Sequence, residues 1–189
     1  MFNLTTEAYV TKSCEQDGSS GYLHVYTGDG KGKTTAAMGL VLRACGAGLR
    51  VFVGQFIKGL ESGEIRMLQD RCPEVTVEMF GRGRFIRGCP SPEDIALARR
   101  GLDRFREVLQ SGEFDLVVAD EANGAIHAGL FSVEDLLALL DAKQDSVELV
   151  VTGRNADPRL IERADLVTEM CKIKHPFDSG VPAREGIEF

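Results

Sequence analysis

The sequence predicts an α/β fold in which a mostly parallel central sheet is flanked by helices on both faces, giving three layers. Two observations support this prediction. Short β-rich runs alternate with helical stretches from about residue 21 onward, and one run, Leu116–Ala119, is continuously apolar. A continuous apolar run is typical of a parallel strand buried on both faces, and the alternation predicts right-handed crossover connections between parallel strands.

The first half of the chain contains strand and helix patterns in alternation. The strand predictions rest on β-branched, aromatic and other apolar residues in short runs, and the helix predictions on longer stretches between them. The predicted strands are Leu23–Tyr26, Val51–Phe56 and Val75–Phe80, and the predicted helices run from about Lys33 to Ala47 and from Glu61 to Arg71.

Helix starts are clearest in the second half. Ser91-Pro92-Glu93-Asp94 combines a serine cap, a proline at the first helical position and acidic residues in the first turn, which predicts a helix to about Gln110. Ser132-Val133-Glu134-Asp135 has a similar capping pattern, and Asp157-Pro158 begins a short helix. The remaining predicted strands are Leu116–Ala119, Val147–Thr152 and a last one within Ala164–Cys171.

Length, charge and cysteine usage limit the function classes. The 189 residues suffice for one domain, which we expect at 21–189 after a flexible arm at 1–20. The formal net charge of −7 argues against nucleic acid as a partner. The five cysteines form no C-x-x-C pair, and no signal peptide or apolar run of the ~20 residues that cross a bilayer is present. We therefore expect a cytoplasmic protein without a membrane partner.

The strongest motif is Thr27-Gly28-Asp29-Gly30-Lys31-Gly32-Lys33-Thr34-Thr35, which follows the first strand and opens the first helix. Glycines let successive backbone N–H groups turn toward a phosphate, and the helix N-terminus adds a positive dipole end. Lys33 brings a cation to the terminal phosphates, and the Thr34 hydroxyl is suited to Mg²⁺. The motif predicts a P-loop, and with it a P-loop NTPase-like fold, although Thr27 replaces the first glycine and Lys31 is an additional lysine.

An acidic pair completes the predicted nucleotide site. Asp120-Glu121 ends the apolar strand Leu116–Ala119, and in P-loop proteins a carboxylate at this place holds Mg²⁺ directly or through water. Phosphate loop and acidic pair together predict an NTP–Mg²⁺ site. His127 follows the pair closely enough to be a further candidate for this site.

The motifs leave the reaction open, because kinases, NTPases, switches and other transferases share them. A small kinase or NTPase acting at the β–γ phosphate bond is one alternative, and a non-catalytic nucleotide switch is another. The segment Gly81–Gly88 carries three arginines and Phe85 between glycines, which favours a mobile lid over an anionic or large flat ligand. Single-stranded nucleic-acid contacts and a solvated basic loop are the other interpretations of this segment.

From about Tyr22 to the last residue, the chain resembles the P-loop corrinoid adenosyltransferases, which transfer the adenosyl group of ATP to the cobalt of a vitamin B12-type corrinoid. The unusual phosphate loop together with the C-terminal segment makes this resemblance more specific than a phosphate loop alone. The segments that carry it are Thr27–Ala37, Gln55–Gly59, Val118–Glu121, Val151–Arg154 and Lys174–Phe189.

The resemblance implies the reaction and the residues that perform it. In this family ATP lies reversed relative to most P-loop enzymes, and Co(I) attacks the ribose 5′ carbon and displaces triphosphate, so the protein has to supply positioning and charge stabilisation. Thr34 and Glu121 would ligate Mg²⁺ with Asp120 in support, while Thr35 would add a hydroxyl and Arg154 a phosphate contact. The residues that would hold the phosphates are Gly28, Asp29, Gly30, Lys31, Gly32, Lys33 and Thr34. A homodimer and an electron-supplying reductase of the flavin type are also implied.

One departure from the family concerns the loop that faces the corrinoid. The family pattern G-F-x-W supplies two aromatics that help to remove the lower axial ligand of cobalt, whereas this chain has Gly83-Arg84-Phe85-Ile86 and no tryptophan. Phe85 is therefore the expected wedge, beside Lys33 as the catalytic cation. The preferred corrinoid, either cobalamin or an earlier intermediate such as cobyrinic acid a,c-diamide, is left open.

Overall fold

A computed structural model describes residues 20–57, 62–83, 86 and 88–189. In this part of the chain six strands form one sheet in the order β3-β2-β4-β5-β1-β6, and every neighbouring pair is parallel. The strands are β1 (Leu23–Thr27), β2 (Val51–Phe56), β3 (Val75–Phe80), β4 (Leu116–Asp120), β5 (Glu148–Thr152) and β6 (Leu166–Glu169). The helices are α1 (Lys33–Gly46), α2 (Gly63–Arg71), α3 (Pro92–Ser111), α4 (Ala122–His127), α5 (Val133–Ala142) and α6 (Pro158–Arg163), with a 3₁₀ helix at Pro176–Ser179.

The α/β prediction is confirmed, with small shifts at element ends. All six predicted strands are present, and the expected last strand within Ala164–Cys171 is β6, at the edge of the sheet beside β1. Ser91 and Ser132 form complete capping boxes with Asp94 and Asp135. The helix predicted from Glu61 begins at Gly63, and α4 and the 3₁₀ helix were not predicted. The expected arm at 1–20 lies almost entirely outside the described residues.

Helices cover both faces of the sheet. On one face, α1 and α2 pack over β2 and β4 through small and branched residues that include Ala37, Val41 and Ile65. On the other face, α3 and α5 close over a phenylalanine cluster, in which Phe56 lies 5.4 Å from Phe105 and 5.1 Å from Phe131 between ring centroids. Burial on both faces explains why the central strands are apolar along most of their length.

The chemistry-bearing residues gather at one edge of this sheet. Because all strands are parallel, their carboxyl ends share that edge, and ligands of open α/β sheets bind there. The β6 edge strand is exposed along its whole length. In the part of the chain that the structure describes, no helix has the length and apolar character needed to cross a bilayer.

Candidate active site at the carboxyl edge of the sheet

The phosphate loop leaves β1 and enters α1 in the predicted way. Gly28 and Gly32 have φ of 96° and 123°, a backbone conformation that favours glycine. The loop also packs closely against the chain that follows β6: the N–H of Gly30 donates to the carbonyl of Met170 at 2.6 Å, and a Cβ on Gly28 would lie 2.5 Å from that same oxygen. Gly28 and Gly30 are therefore required because a side chain at either position would collide with the chain that follows β6. Gly28 is also required by its backbone conformation.

Lys33 lies inside the loop and holds its shape. The residue is 7% exposed, and Nζ donates to the carbonyl oxygens of Gly28 at 2.6 Å and Gly30 at 2.8 Å. Burial lowers the pKa of Lys33, and the nearby carboxylate of Glu121 acts in the opposite direction. Lys33 thus places its ammonium group in the concave face of the loop.

Asp120 is the centre of a buried hydrogen-bond network. Its side chain is fully buried, and Oδ1 accepts from the hydroxyls of Thr34 at 2.9 Å and Thr152 at 2.7 Å. Oδ2 accepts from Nε2 of Gln55 at 2.9 Å. A buried carboxylate requires such partners because burial otherwise disfavours its charged form. The network joins α1 to β2, β4 and β5 at the carboxyl edge of the sheet.

Glu121 follows in an unusual backbone conformation. Its φ of 59° and ψ of 22° are left-handed, and its N–H donates to the Thr152 hydroxyl at 2.9 Å. The side chain lies beside the first turn of α4, where a Cβ on Gly124 would lie 2.7 Å from Oε2 of Glu121. The turn therefore aims Asp120 toward Thr34 and places Glu121 over Gly124. The predicted acidic pair is separated into a buried member and a half-buried one.

Gln55 and Thr152 are the residues of this network that sequence reasoning missed. Gln55 lies in a segment that carried the family resemblance, and Thr152 is the polar end of an apolar strand, but neither had been given a role. The available signal was a polar side chain at the carboxyl end of a buried strand. That signal becomes specific only when the strand register is known, which pairs Gln55 with Asp120.

Lys31 and Arg154 lie close to the loop with different partners. Nζ of Lys31 donates to the carbonyl of Ile187 at 2.6 Å and to Oε1 of Glu188 at 2.9 Å, so the C-terminal segment reaches the phosphate loop. Hydrogen bonds from Arg184 and Lys31 lower the pKa of Glu188 to about 2. Nη2 of Arg154 is 3.5 Å from the carbonyl oxygen of Asp29. Thr35 is exposed on the first turn of α1.

The C-terminal segment also faces α2 across a cavity of about 690 Å³. Arg66, Met67 and Arg71 line it from the helix, and Glu185 and Phe189 line it from the C-terminal segment. His127, by contrast, is the last residue of α4 and is exposed.

The arginine-rich segment is described only in part. Gly83 and Gly88 of the proposed lid have φ of 73° and 79°, a backbone conformation that favours glycine. Arg82 lies 3.6 Å from Glu93 and 3.9 Å from Asp94, and Ile86 lines a small cavity with Ile57 and Leu130. Arg84, Phe85 and Arg87 lie outside the described residues, and the wedge role of Phe85 stays a prediction.

The donor set fits magnesium rather than a softer metal. Thr34, Asp120 and Glu121 offer hydroxyl and carboxylate oxygens, which are the ligands that Mg²⁺ prefers. Among the described residues no cluster of three or more His, Cys, Asp or Glu side chains is present. A site built from this set would leave several positions of the ion to phosphate and water, as is usual for Mg²⁺ with nucleotides.

Comparison with known proteins identifies the family of this chain. The family model described as "ATP:corrinoid adenosyltransferase BtuR/CobO/CobP" matches residues 19–189. The corrinoid adenosyltransferase of Pseudomonas aeruginosa is 40% identical over 170 residues, covering 89% of this chain and 84% of that one. The corrinoid adenosyltransferase of Escherichia coli K12 is 34% identical over 171 residues, with 89% and 86% covered.

A solved structure supports the fold separately. The RadB recombinase crystal structure superposes with a TM-score of 0.52 at 18% identity, covering 83% of this chain and 77% of that one. At this identity the likeness concerns the fold alone. The family match spans nearly the whole chain and includes the phosphate loop, the acidic pair and the C-terminal segment, and the chain belongs to the ATP:corrinoid adenosyltransferase family.

Proposed function

We propose that this protein transfers the 5′-deoxyadenosyl group of ATP to the Co(I) centre of a corrinoid and releases triphosphate, in adenosylcobalamin biosynthesis or salvage. Family membership supports the reaction. The observation that carries it is Lys33, a buried cation inside a glycine loop at the carboxyl edge of a parallel sheet. Residues 21–189 act as one ATP-binding domain in this proposal.

The phosphate loop receives the triphosphate. Lys33 exchanges its two loop carbonyls for phosphate oxygens, and the backbone N–H groups of the loop supply further donors. Lys31 adds a second cation at the loop surface when triphosphate competes with Glu188 for its ammonium. Arg154, whose Nη2 lies near the carbonyl of Asp29, adds a third cation. Thr35 adds a hydroxyl on the first turn of α1. These charges stabilise the negative charge that develops on the leaving group.

Thr34 and Glu121 would hold Mg²⁺, with Asp120 as the residue that orients Thr34. Bound there, the ion would neutralise charge on the triphosphate. The support for this assignment is the oxygen-only donor set and the hydrogen bond from Thr34 to Asp120. Since Asp120 already accepts from three side chains, its main contribution is to fix the direction of the Thr34 hydroxyl.

The reaction requires no protein nucleophile or general base. Co(I) supplies the electron pair that forms the bond to the ribose 5′ carbon, and the breaking C–O bond leaves its pair on triphosphate. The corrinoid would lie over the carboxyl ends of β2 and β3, where Ile57, Ile86 and Leu130 provide apolar surface and Arg82 provides charge. Phe85 would pack against the lower face of the corrinoid and help to displace the lower axial ligand of cobalt. Homodimer formation, a flavin-type reductase as electron source and a cytoplasmic location complete the proposal.

The products distinguish this function from the other P-loop reactions. Protein, ATP, Mg²⁺ and chemically reduced corrinoid are incubated together, and the expected products are a light-sensitive adenosylated corrinoid and free triphosphate. ADP without an alkylated corrinoid would indicate cleavage at the β–γ bond and overturn the proposal. A switch would instead retain the nucleotide and bind a partner in a nucleotide-dependent manner.

A further inference from the structure

Gln55 carries a buried polar atom that no described residue satisfies. The residue is fully buried at the end of β2, and Nε2 donates to Oδ2 of Asp120 at 2.9 Å. An ionised carboxylate only accepts hydrogen bonds, so this contact fixes which end of the amide faces Asp120. The other end, Oε1, is buried and has no hydrogen-bond partner in the part of the chain that the structure describes.

Such an acceptor calls for an explanation, because nearly all buried polar groups in proteins are paired. Ser62 and Asn123 also have a buried side-chain oxygen without a partner among the described residues. Gln55 differs from both because its amide is hydrogen-bonded to the carboxylate that orients Thr34. The unsatisfied oxygen therefore belongs to the network at the predicted metal site.

Strand alternation shows which side of the sheet this oxygen occupies. Val51 and Val53 belong to the core beneath α1 and α2, and Gln55 is the next residue of β2 on that face. On the neighbouring strand, Leu116 and Val118 lie in the same core, and Asp120 follows them. The phosphate loop opens α1 on this face, so the Gln55 amide lies on the phosphate side of the sheet.

The chemistry of the missing partner is restricted. Oε1 accepts a hydrogen bond, whereas the oxygens of triphosphate and of neighbouring carboxylates have no proton to donate. A water bound to Mg²⁺ does, and Mg²⁺ keeps several waters when it binds a nucleotide. We propose that Gln55 is a positioning residue of the metal site, whose Oε1 accepts a hydrogen bond from a water on the bound ion. This inference rests on the magnesium site proposed above.

The test replaces Gln55 with methionine, which keeps the length of the side chain and removes the amide. Mn²⁺ serves as the probe, and its binding to the enzyme with ATP is followed by electron paramagnetic resonance of the free ion. We expect Mn²⁺ to bind about tenfold or more weakly in the variant, as is usual when an outer hydrogen bond of a metal site is lost. ATP binding in the presence of EDTA should be unchanged.

Two further measurements separate this role from a structural one. The melting temperature of the ligand-free Gln55→Met variant should stay within about 3 °C of the wild type, because the lost bond to Asp120 is offset by removal of the unsatisfied oxygen. Ser62→Ala removes another unsatisfied buried oxygen, at the start of α2, and should leave Mn²⁺ affinity unchanged.

The outcomes are distinct. Equal Mn²⁺ affinity in Gln55→Met and the wild type would overturn the inference. A loss of metal-free ATP affinity as large as the loss of Mn²⁺ affinity would also overturn it, because it would point to a hydrogen-bond donor on the nucleoside. Weaker Mn²⁺ binding by Gln55→Met, together with unchanged metal-free ATP binding, supports the inference. If the wild type itself bound no Mn²⁺ with ATP, the proposed magnesium site would fail, and the inference with it.

Discussion

Replacing Lys33 with alanine tests the proposed leaving-group stabilisation most directly. The substitution removes a buried ammonium that contacts two loop carbonyls at 2.6 and 2.8 Å. Loss of one preorganised donor to a developing negative charge typically lowers kcat by about 10²–10³-fold, or about 2.7–4 kcal/mol. We expect at least this loss with chemically reduced corrinoid, because Lys33 would face the leaving triphosphate.

The same substitution should leave the protein folded. Hydrogen bonds from a charged group contribute about 1.5–3 kcal/mol each, but the burial that lowers the pKa of Lys33 no longer opposes folding in the variant. A net loss of about 1–2 kcal/mol would lower the melting temperature by about 2–8 °C. Circular dichroism and thermal melting check this.

The assay compares adenosylation rates of the wild type, Lys33→Ala and Lys31→Ala at saturating ATP. Lys31 is the matched control, because it is also a lysine of the loop but is exposed and paired with Glu188. We expect Lys31→Ala to lose no more than about fivefold, the effect of an exposed charge. Near-normal turnover by a folded Lys33→Ala variant would refute the assignment of Lys33.

The remaining predictions concern substitutions at four other residues. Phe85→Ala should reduce turnover coupled to a reductase more than turnover with pre-reduced Co(I); equal losses would make Phe85 a packing residue. Because the pKa of Glu188 is lowered from 4.5 to about 2, its contribution is present above pH 4.5 and lost toward pH 2. The melting-temperature difference between the wild type and Glu188→Gln should shrink over that range, and a constant difference would contradict it. Gly39→Ala, on the exposed face of α1 with open space around it, should stabilise the protein by about 0.5–1 kcal/mol. Gly101→Ala, whose Cβ would lie 2.7 Å from the Phe80 ring, should destabilise it by about 1–3 kcal/mol. Urea unfolding measures both changes, and a change in the free energy of unfolding of the same sign for both variants would contradict the packing.

Local signals explain why much of the fold could be predicted. Apolar runs determine buried strands, and Ser91 and Ser132 mark helix starts through contacts within four residues, so these elements are readable from short windows. The helix α4 was missed because it has only 6 residues and follows directly after Glu121, whose left-handed backbone has no sequence signature. The geometry of this turn depends on the close approach of the Glu121 side chain to Gly124, which exists only in the folded protein.

Residues of the candidate site could be predicted where they lie together in one sequence motif, but not where their proximity depends on the pairing register of the strands. The phosphate loop contains its own geometry in its glycines, and the structure brings Thr34 to the carboxylate of Asp120 and Lys33 close to that of Glu121. Gln55 joins Asp120 only because β2 and β4 pair in one register. The contact of Lys31 with Glu188 joins residues 157 positions apart, which no local pattern reveals.

The all-parallel sheet has a consequence for how the protein folds. The bonds that assemble the Asp120 network join residues 86, 65 and 32 positions apart, on α1 and on three different strands. A topology of such high contact order folds slowly, since each long loop must close before its contacts form. No early intermediate that lacks a central strand contains the network. During refolding, nucleotide affinity should therefore return late, after most of the helical signal, and would mark the moment at which the last strand joins the sheet.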